Sequence, residues 1–173
     1  MEFIGYHGTT MKSANRILKG NFYTPTHQGW LGCGTYFFEG NLLLAKEFAR
    51  CRHKTNEIAV IKCDIKSNLV LDLTVPSGDG VKKFHQTRAE LLEACRTNCL
   101  NVKAKNFKDF DASVIESLCK RENYDLVRAN TYTYTQADRI LQITSHVPNG
   151  TELCVKKRSS ILRKTNVPLE YIV

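Results

Sequence analysis

Two short blocks near the start of the chain hold residue types that can do chemistry. They are Tyr6-His7-Gly8-Thr9 and Trp30-Leu31-Gly32-Cys33-Gly34-Thr35-Tyr36-Phe37-Phe38. The first sets a His-Gly step behind a short apolar opening, and the second sets an aromatic triplet behind a G-x-G turn. An imidazole, an unhindered backbone and an exposed ring are what a site needs to grip a flat, amide-bearing, ribose-linked ligand, a class that includes NAD. Seven of the ten glycines lie in the first 40 residues. Glycine lets backbone come close to a ligand or take positive φ, so the N-terminal third is expected to carry the ligand.

These residues need elements to position them. Residues 2–7 read as a strand leading into the His-Gly step. From Thr10 to Lys19, Met11, Ala14, Ile17 and Leu18 recur at helical spacing, and Gly20 stops the run. A turn-rich stretch leads to a strand over Gly34–Phe38, then a helix over Asn41–Arg50 with Leu44, Ala45 and Phe48 on one face. Glu57–Ile65 and Asn68–Leu73 have the β-branched, apolar character of buried strands. Pro76–Gly80 marks a turn, and 82–100 and 109–121 read as helices. Tyr124–Arg128 and Arg139–Thr144 are expected strands divided by a polar loop, Ala129–Asp138; a loop over 145–150 precedes a strand over 151–157. Strands at both ends with helices between predict an α+β fold in a single domain over 1–173.

Composition narrows the class. At 173 residues, 42% hydrophobic and 24% charged, the chain fits one folded core and not a disordered segment. Met1-Glu2-Phe3-Ile4-Gly5 has an acid where a leader's basic region belongs, and no apolar run nears the roughly 20 residues of a membrane span, so neither leader nor membrane contact is expected. The seven cysteines are scattered, with Cys95 and Cys99 at helical spacing and no nearby His or Cys. That argues for reduced thiols in a cytoplasm, and against a disulfide framework or a metal site. The net charge of +8 is the compositional extreme, with basic clusters at Arg50-Cys51-Arg52-His53-Lys54, Lys82-Lys83, Lys156-Lys157-Arg158 and Arg163-Lys164. A field of that sign suits nucleic acid or an acidic protein, and a merely well-solvated surface is the alternative.

With those residues in hand, the chain resembles the ADP-ribosyltransferase superfamily, in its diphtheria-toxin and poly(ADP-ribose)-polymerase-like branch, marked by a His-Tyr-Glu triad. His7-Gly8-Thr9 matches the family's H-G-[ST] opening, and Gly32-Cys33-Gly34-Thr35-Tyr36-Phe37 matches its G-x-G-[IT]-Y-F strand. Phe48 stands for the family's second aromatic, and Glu57–Leu73 resembles its central strands. Glu152 and Glu170 are the candidates for the late-strand glutamate. Glu152 opens an E-L-C-V run with Ile161 nine positions on, where the family places a buried apolar residue; Glu170 sits three residues from the end. Glu152 is therefore assigned. The likeness is closest to small free-standing bacterial members, several of which behave as toxins.

The resemblance implies a split β-sandwich of two small sheets with flanking helices around an NAD cleft. It implies cleavage of the nicotinamide glycosidic bond and transfer of ADP-ribose to a macromolecular acceptor, without a metal. His7, Tyr36 and Glu152 would be catalytic. His7, Gly8, Thr9, Tyr36 and Phe48 would bind NAD, with His7 on a ribose hydroxyl, Gly8 on the carboxamide, Tyr36 and Phe48 sandwiching the ring, and Glu152 on the 2′-hydroxyl. The family's carboxamide-binding serine is replaced by Leu44 or Ala45, and Gly150 stands where an arginine-modifying enzyme carries an acid or amide. Arg50, Arg52, Lys156, Lys157 and Arg158 are the candidate acceptor-binding residues, and the charge favours RNA or single-stranded DNA over protein. An antitoxin protein is a further expected partner. A protein-modifying transferase, a tRNA 2′-phosphotransferase-like enzyme and a non-catalytic NAD- or partner-binding module remain as alternatives.

Overall fold

The structure is a computed structural model that describes residues 1–23, 28–53, 55, 57–98 and 107–168. Among the described residues there are seven strands and five α-helices. Strand β1 (Glu2–Thr10) runs straight into helix α1 (Met11–Lys19). Thr10 makes the junction, its Oγ1 accepting from the Ser13 amide at 3.2 Å and so satisfying a donor the first helical turn would leave bare. Ala14 and Ile17 form the buried face of α1. Strand β2 (Thr35–Glu39) is followed by α2 (Leu42–His53), which Asn41 opens by accepting from the Leu44 amide at 2.9 Å.

Strand β3 (Ile58–Lys66) lies one in from the sheet edge; its first four residues, Ile58–Ile61, are all buried and all apolar, and Lys62, Asp64 and Lys66 then alternate with the buried Cys63 and Ile65. Strand β4 (Val70–Asp72) leads to helices α3 (Asp79–Thr97) and α4 (Phe107–Glu122), then β5 (Leu126–Thr131), α5 (Gln136–Leu141), β6 (Gly150–Val155) and β7 (Ile161–Val167). Hydrogen bonds join all seven strands in the order β4-β5-β6-β2-β1-β3-β7, antiparallel except for β4 beside β5. The two separate small sheets expected from the sequence are thus one mixed sheet. Its weak point is β1/β2, where the register holds only Gly5 with Glu39 and Tyr6 with Phe38.

Three cores flank the sheet. Phe37, Leu126, Leu153 and Val155 from the β5-β6-β2 side share a cluster with Ala59, Ile61, Cys63 and Ile65 of β3 and with Ala14 and Ile17 of α1. Leu31, Leu71, Val127 and Cys154 pack with Ile115 and Leu118 of α4, and Phe38 and Val60 pack with Leu44 and Ala45 of α2.

Two local expectations are corrected. Arg139–Thr144 is not a strand, because Thr135 and Asp138 close a reciprocal cap that starts α5 instead: Thr135 Oγ1 accepts from the Asp138 amide and Asp138 accepts from the Thr135 amide at 2.8 Å. The expected polar loop from Ala129 begins later, since β5 continues to Thr131 beside Gly150. Strand β7 was not anticipated. Its Arg163, Lys164, Thr165 and Asn166 give no apolar alternation, as suits a charged edge strand paired to β3 on one side.

Candidate active site

The site begins where the β1/β2 ladder stops. In an antiparallel strand alternate residues turn their backbone N–H and C=O toward the same neighbour. The Ile4 carbonyl accepts from the Gly40 amide on the β2 side at 2.9 Å, so Tyr6 and Gly8 present their backbone groups to that side too. Tyr6 pairs with Phe38, and no register with β2 follows for Gly8. Gly8 therefore offers an adjacent donor and acceptor into the opening crease. Its Cβ direction is elsewhere: a side chain there would run into the backbone carbonyl of Ala45 on α2. Glycine at this position is required by the close packing of α2, and the expectation that it clears a ligand's path is corrected to that extent.

His7 takes the bond that the ladder gives up. Its Nδ1 lies 2.8 Å from the Tyr36 carbonyl oxygen. A carbonyl only accepts, so Nδ1 carries the hydrogen, and in the neutral ring Nε2 is a bare acceptor. Burial holds the imidazole below its ordinary pKa, opposed by the bond to Tyr36, which keeps that neutral tautomer at pH 7. Phe22 and Phe37 meet the ring edge-on at 5.1 and 5.8 Å and fix its plane.

The crease opens into a cavity of about 390 Å³ whose walls include His7, Gly8, Trp30, Tyr36, Phe48 and Glu152. These residues come from β1, the segment before β2, β2 itself, α2 and β6. Tyr36 is fixed by its hydroxyl, which accepts from the Leu31 amide at 2.9 Å and donates to the Gly32 carbonyl at 2.8 Å. Burial pushes its phenol well above the usual range, so it remains protonated. Phe48 is 37% exposed and packs edge-on against Phe38 at 5.7 Å, leaving it free to meet a ligand. Cys154, in register with Tyr36, is buried; desolvation pushes its thiol up to about 12 and removes it as a nucleophile.

Glu152 sits mid-strand on β6, in register with Phe38 on one side and Ala129 on the other. The Trp30 indole N–H donates to Oε2 at 2.8 Å, and the Thr133 hydroxyl lies 3.4 Å from Oε1. Both carboxylate oxygens are thereby oriented. Neither Trp30 nor Thr133 was assigned a role from the sequence, although Trp30 is the chain's single tryptophan and adjoins the G-x-G turn. Glu170, the other candidate, lies outside the described residues.

A second cavity, about 370 Å³, shares His7, Gly34 and Tyr36 with the first and adds Thr9, Ser13 and Arg16. Thr9 thus belongs to the neighbouring space. Leu44 and Ala45, which stand where the resemblance places a serine, are turned into the α2 core.

The expected acceptor-binding residues separate. Arg52 lines the first cavity. Arg50 lies 3.4 Å from Glu47 on α2, and Lys157 pairs with Asp125 at 2.5 Å. Arg158 lies in a 3-10 turn, Arg158–Ser160, and is exposed. Lys156, expected on the acceptor surface, is instead tied into the fold: its side chain is 11% exposed, donates to the Leu31 carbonyl at 2.8 Å and pairs with Glu116 at 2.5 Å. Glu116 also accepts from the Cys33 amide at 2.6 Å. Gly32 sits inside this clamp at φ +86°, where a side chain would strike Glu116. Lys156 and Tyr36 together pin the segment that carries Trp30.

Among the described residues, no group of three or more His, Cys, Asp or Glu could hold a metal ion, and no helix is long and apolar enough to cross a membrane. No protein-family model, no curated protein and no solved structure matches the chain.

Proposed function

We propose that this protein is an NAD-dependent mono-ADP-ribosyltransferase that cleaves the nicotinamide glycosidic bond and passes ADP-ribose to a macromolecule, with nucleic acid as the favoured acceptor. The observation that carries the reading is the convergence of His7, Gly8, Tyr36, Phe48 and Glu152, far apart in the chain, on one cavity. In this reading the sheet corresponds to the family's split β-sandwich, parted at β1/β2. The protein acts in a cytoplasm as a toxin or defence effector.

A primary carboxamide carries one C=O and one NH₂, which complement the free N–H and C=O of Gly8. The nicotinamide ring lies between Tyr36 and Phe48, a stacking worth about 0.5–1.5 kcal/mol beyond its buried area. The bare Nε2 of His7 accepts from a ribose hydroxyl. The neighbouring cavity with Arg16 and Ser13 takes the ADP half. As the C1′–N bond breaks, nicotinamide leaves neutral, keeping the bonding electron pair, and positive charge develops on the ribose. Glu152, oriented by Trp30 and Thr133, meets the 2′-hydroxyl and supplies fixed negative charge to that oxocarbenium-like state. The acceptor's nucleophile then bonds C1′ and gives up its proton, with Glu152 as the nearest base.

The test is NAD labelled separately in its nicotinamide and adenylate halves, incubated with the full chain and a cell lysate. The reading requires free nicotinamide label and adenylate label on a macromolecule. Intact NAD after prolonged incubation refutes it.

A further inference from the structure

Glu152 faces two spaces. Beyond the cavity already described lies another of about 420 Å³, which shares Trp30, Phe48 and Glu152 with it and is otherwise built by the end of β5, the segment between β5 and β6, and Asp111 of α4, whose carboxylate lies 3.7 Å from the Arg88 guanidinium. Its added walls include Tyr132, Tyr134, Arg139, Thr131 and Thr144. We infer that this second space is an acceptor subsite for an unpaired nucleobase of a single-stranded nucleic acid; the inference rests on the ADP-ribosyl transfer reading for its chemistry, though not for its binding.

The chemistry of the walls carries it. Tyr132 and Tyr134 meet edge to face at 5.7 Å, and the Arg139 guanidinium lies 5.9 Å from the Tyr134 ring centre. Aromatic faces with an arginine beside them are how proteins hold single-stranded bases without reading sequence. Hydroxyls of Thr131 and Thr144 offer both donors and acceptors to a base edge. The chain's net charge of +8 favours a phosphate-bearing ligand over a neutral ring. A base in a stacked duplex cannot enter such a space, whereas one in a single strand can.

The subsite is also preformed. Asn149 bonds both backbone groups of Thr133, accepting from its amide at 2.9 Å and donating to its carbonyl at 2.8 Å. The Thr135–Asp138 cap fixes the next turn. Thr133, between the two tyrosines, reaches Glu152 itself. A base seated there brings a ring or exocyclic nitrogen toward C1′ from the side of Glu152. The new bond is N–C1′, the broken one is C1′ to nicotinamide, and the displaced proton leaves through Glu152 to water.

Tyr134 is 40% exposed and lines this space but not the NAD cavity, so Tyr134→Ala is a fair probe, with Tyr134→Phe keeping the ring. The full chain is titrated by fluorescence anisotropy with a mixed-sequence single-stranded RNA, the same sequence as single-stranded DNA, and a duplex; transfer of adenylate label and nicotinamide release are read in parallel. Single strands should bind more tightly than duplex, and the RNA and DNA arms tell which source carries the label. Tyr134→Ala should weaken single-strand binding and transfer roughly five- to a hundredfold, Tyr134→Phe should restore both, and nicotinamide release without oligonucleotide should be unchanged. Equal binding by wild type and Tyr134→Ala overturns the subsite. So does adenylate label that resists nuclease and yields to protease, as a protein acceptor burying the exposed Ile140, Leu141 and Val147 nearby would give. Single-strand binding that depends on Tyr134 with no nicotinamide released upholds the subsite and refutes the transferase reading alone.

Discussion

Replacing Glu152 with glutamine isolates its charge, because the surrounding hydrogen bonds can survive. The Trp30 indole N–H must meet the amide oxygen, which turns the new NH₂ toward Thr133, whose hydroxyl can accept. Shape, volume and both tethers remain, so stability and NAD affinity should change little. What disappears is one negative charge beside the ribose. For unit charges about 4 Å apart at an effective dielectric of about 20, that interaction is about 4 kcal/mol. It develops only as the glycosidic bond breaks, so it belongs to the rate, where about 4 kcal/mol is a factor of about a thousand. The assay is single-turnover nicotinamide release at saturating NAD, with NAD affinity measured separately by calorimetry. A loss in rate of about a thousandfold with near-normal affinity is expected. A rate within about fivefold of wild type would refute the electrostatic role, and a parallel loss of affinity would make Glu152 a binding residue only. Glu170→Gln should leave the rate unchanged.

Three further outcomes follow from the same geometry. Phe48→Ala, at a half-exposed ring, should weaken NAD binding by about 1 kcal/mol with little loss of stability; unchanged calorimetric affinity would remove Phe48 from the site. Lys156→Ala should cost about 3 kcal/mol of stability in urea unfolding, because it removes the cation beside Glu116, which keeps the Cys33 amide, and leaves the Leu31 carbonyl without the Lys156 donor. Intact stability with weakened nucleic-acid binding would return Lys156 to the acceptor surface. His7 is held neutral by burial, which keeps its folded pKa below the ordinary imidazole value of about 6.5. The unfolded chain therefore binds the proton first as pH falls, so this contribution is complete above about 6.5 and is lost toward the lower folded value, at up to about 1.4 kcal/mol per pH unit. Urea midpoints between pH 7 and 5 should fall more steeply for wild type than for His7→Asn; equal slopes would contradict a buried neutral imidazole.

The parts of the site legible in the sequence are those carried by local pattern. His7-Gly8 on the first strand (which runs on to Thr10, past the expected end at residue 7), Tyr36 behind a G-x-G turn and Glu152 at the head of an apolar run each sit on a strand, as the spacing predicts, and all line one cavity. What was not legible depends on long-range contacts. Trp30 meets Glu152 across 122 positions, and no local signal links them. Lys156 reads as one of three surface cations, yet only packing against Glu116 and Leu31 decides that it is buried while Arg158 is exposed. Residues 139–144 have strand-like composition, but a two-residue cap outweighs that propensity over so short a segment. The joining of two half-sheets through the pairing of Gly5 with Glu39 and Tyr6 with Phe38 is a matter of register, which the hydrophobic pattern of either strand leaves open.

The most direct test of the central claim is the structure of the full chain with a carbocyclic NAD analogue that binds but cannot be cleaved. The account predicts the nicotinamide between Tyr36 and Phe48, with its carboxamide nitrogen and oxygen each about 3 Å from the Gly8 carbonyl and amide. It also predicts a ribose hydroxyl on His7 Nε2 and another on Glu152. An analogue seated away from the β1/β2 crease, or one in the crease with Gly8 and Glu152 untouched, would contradict it.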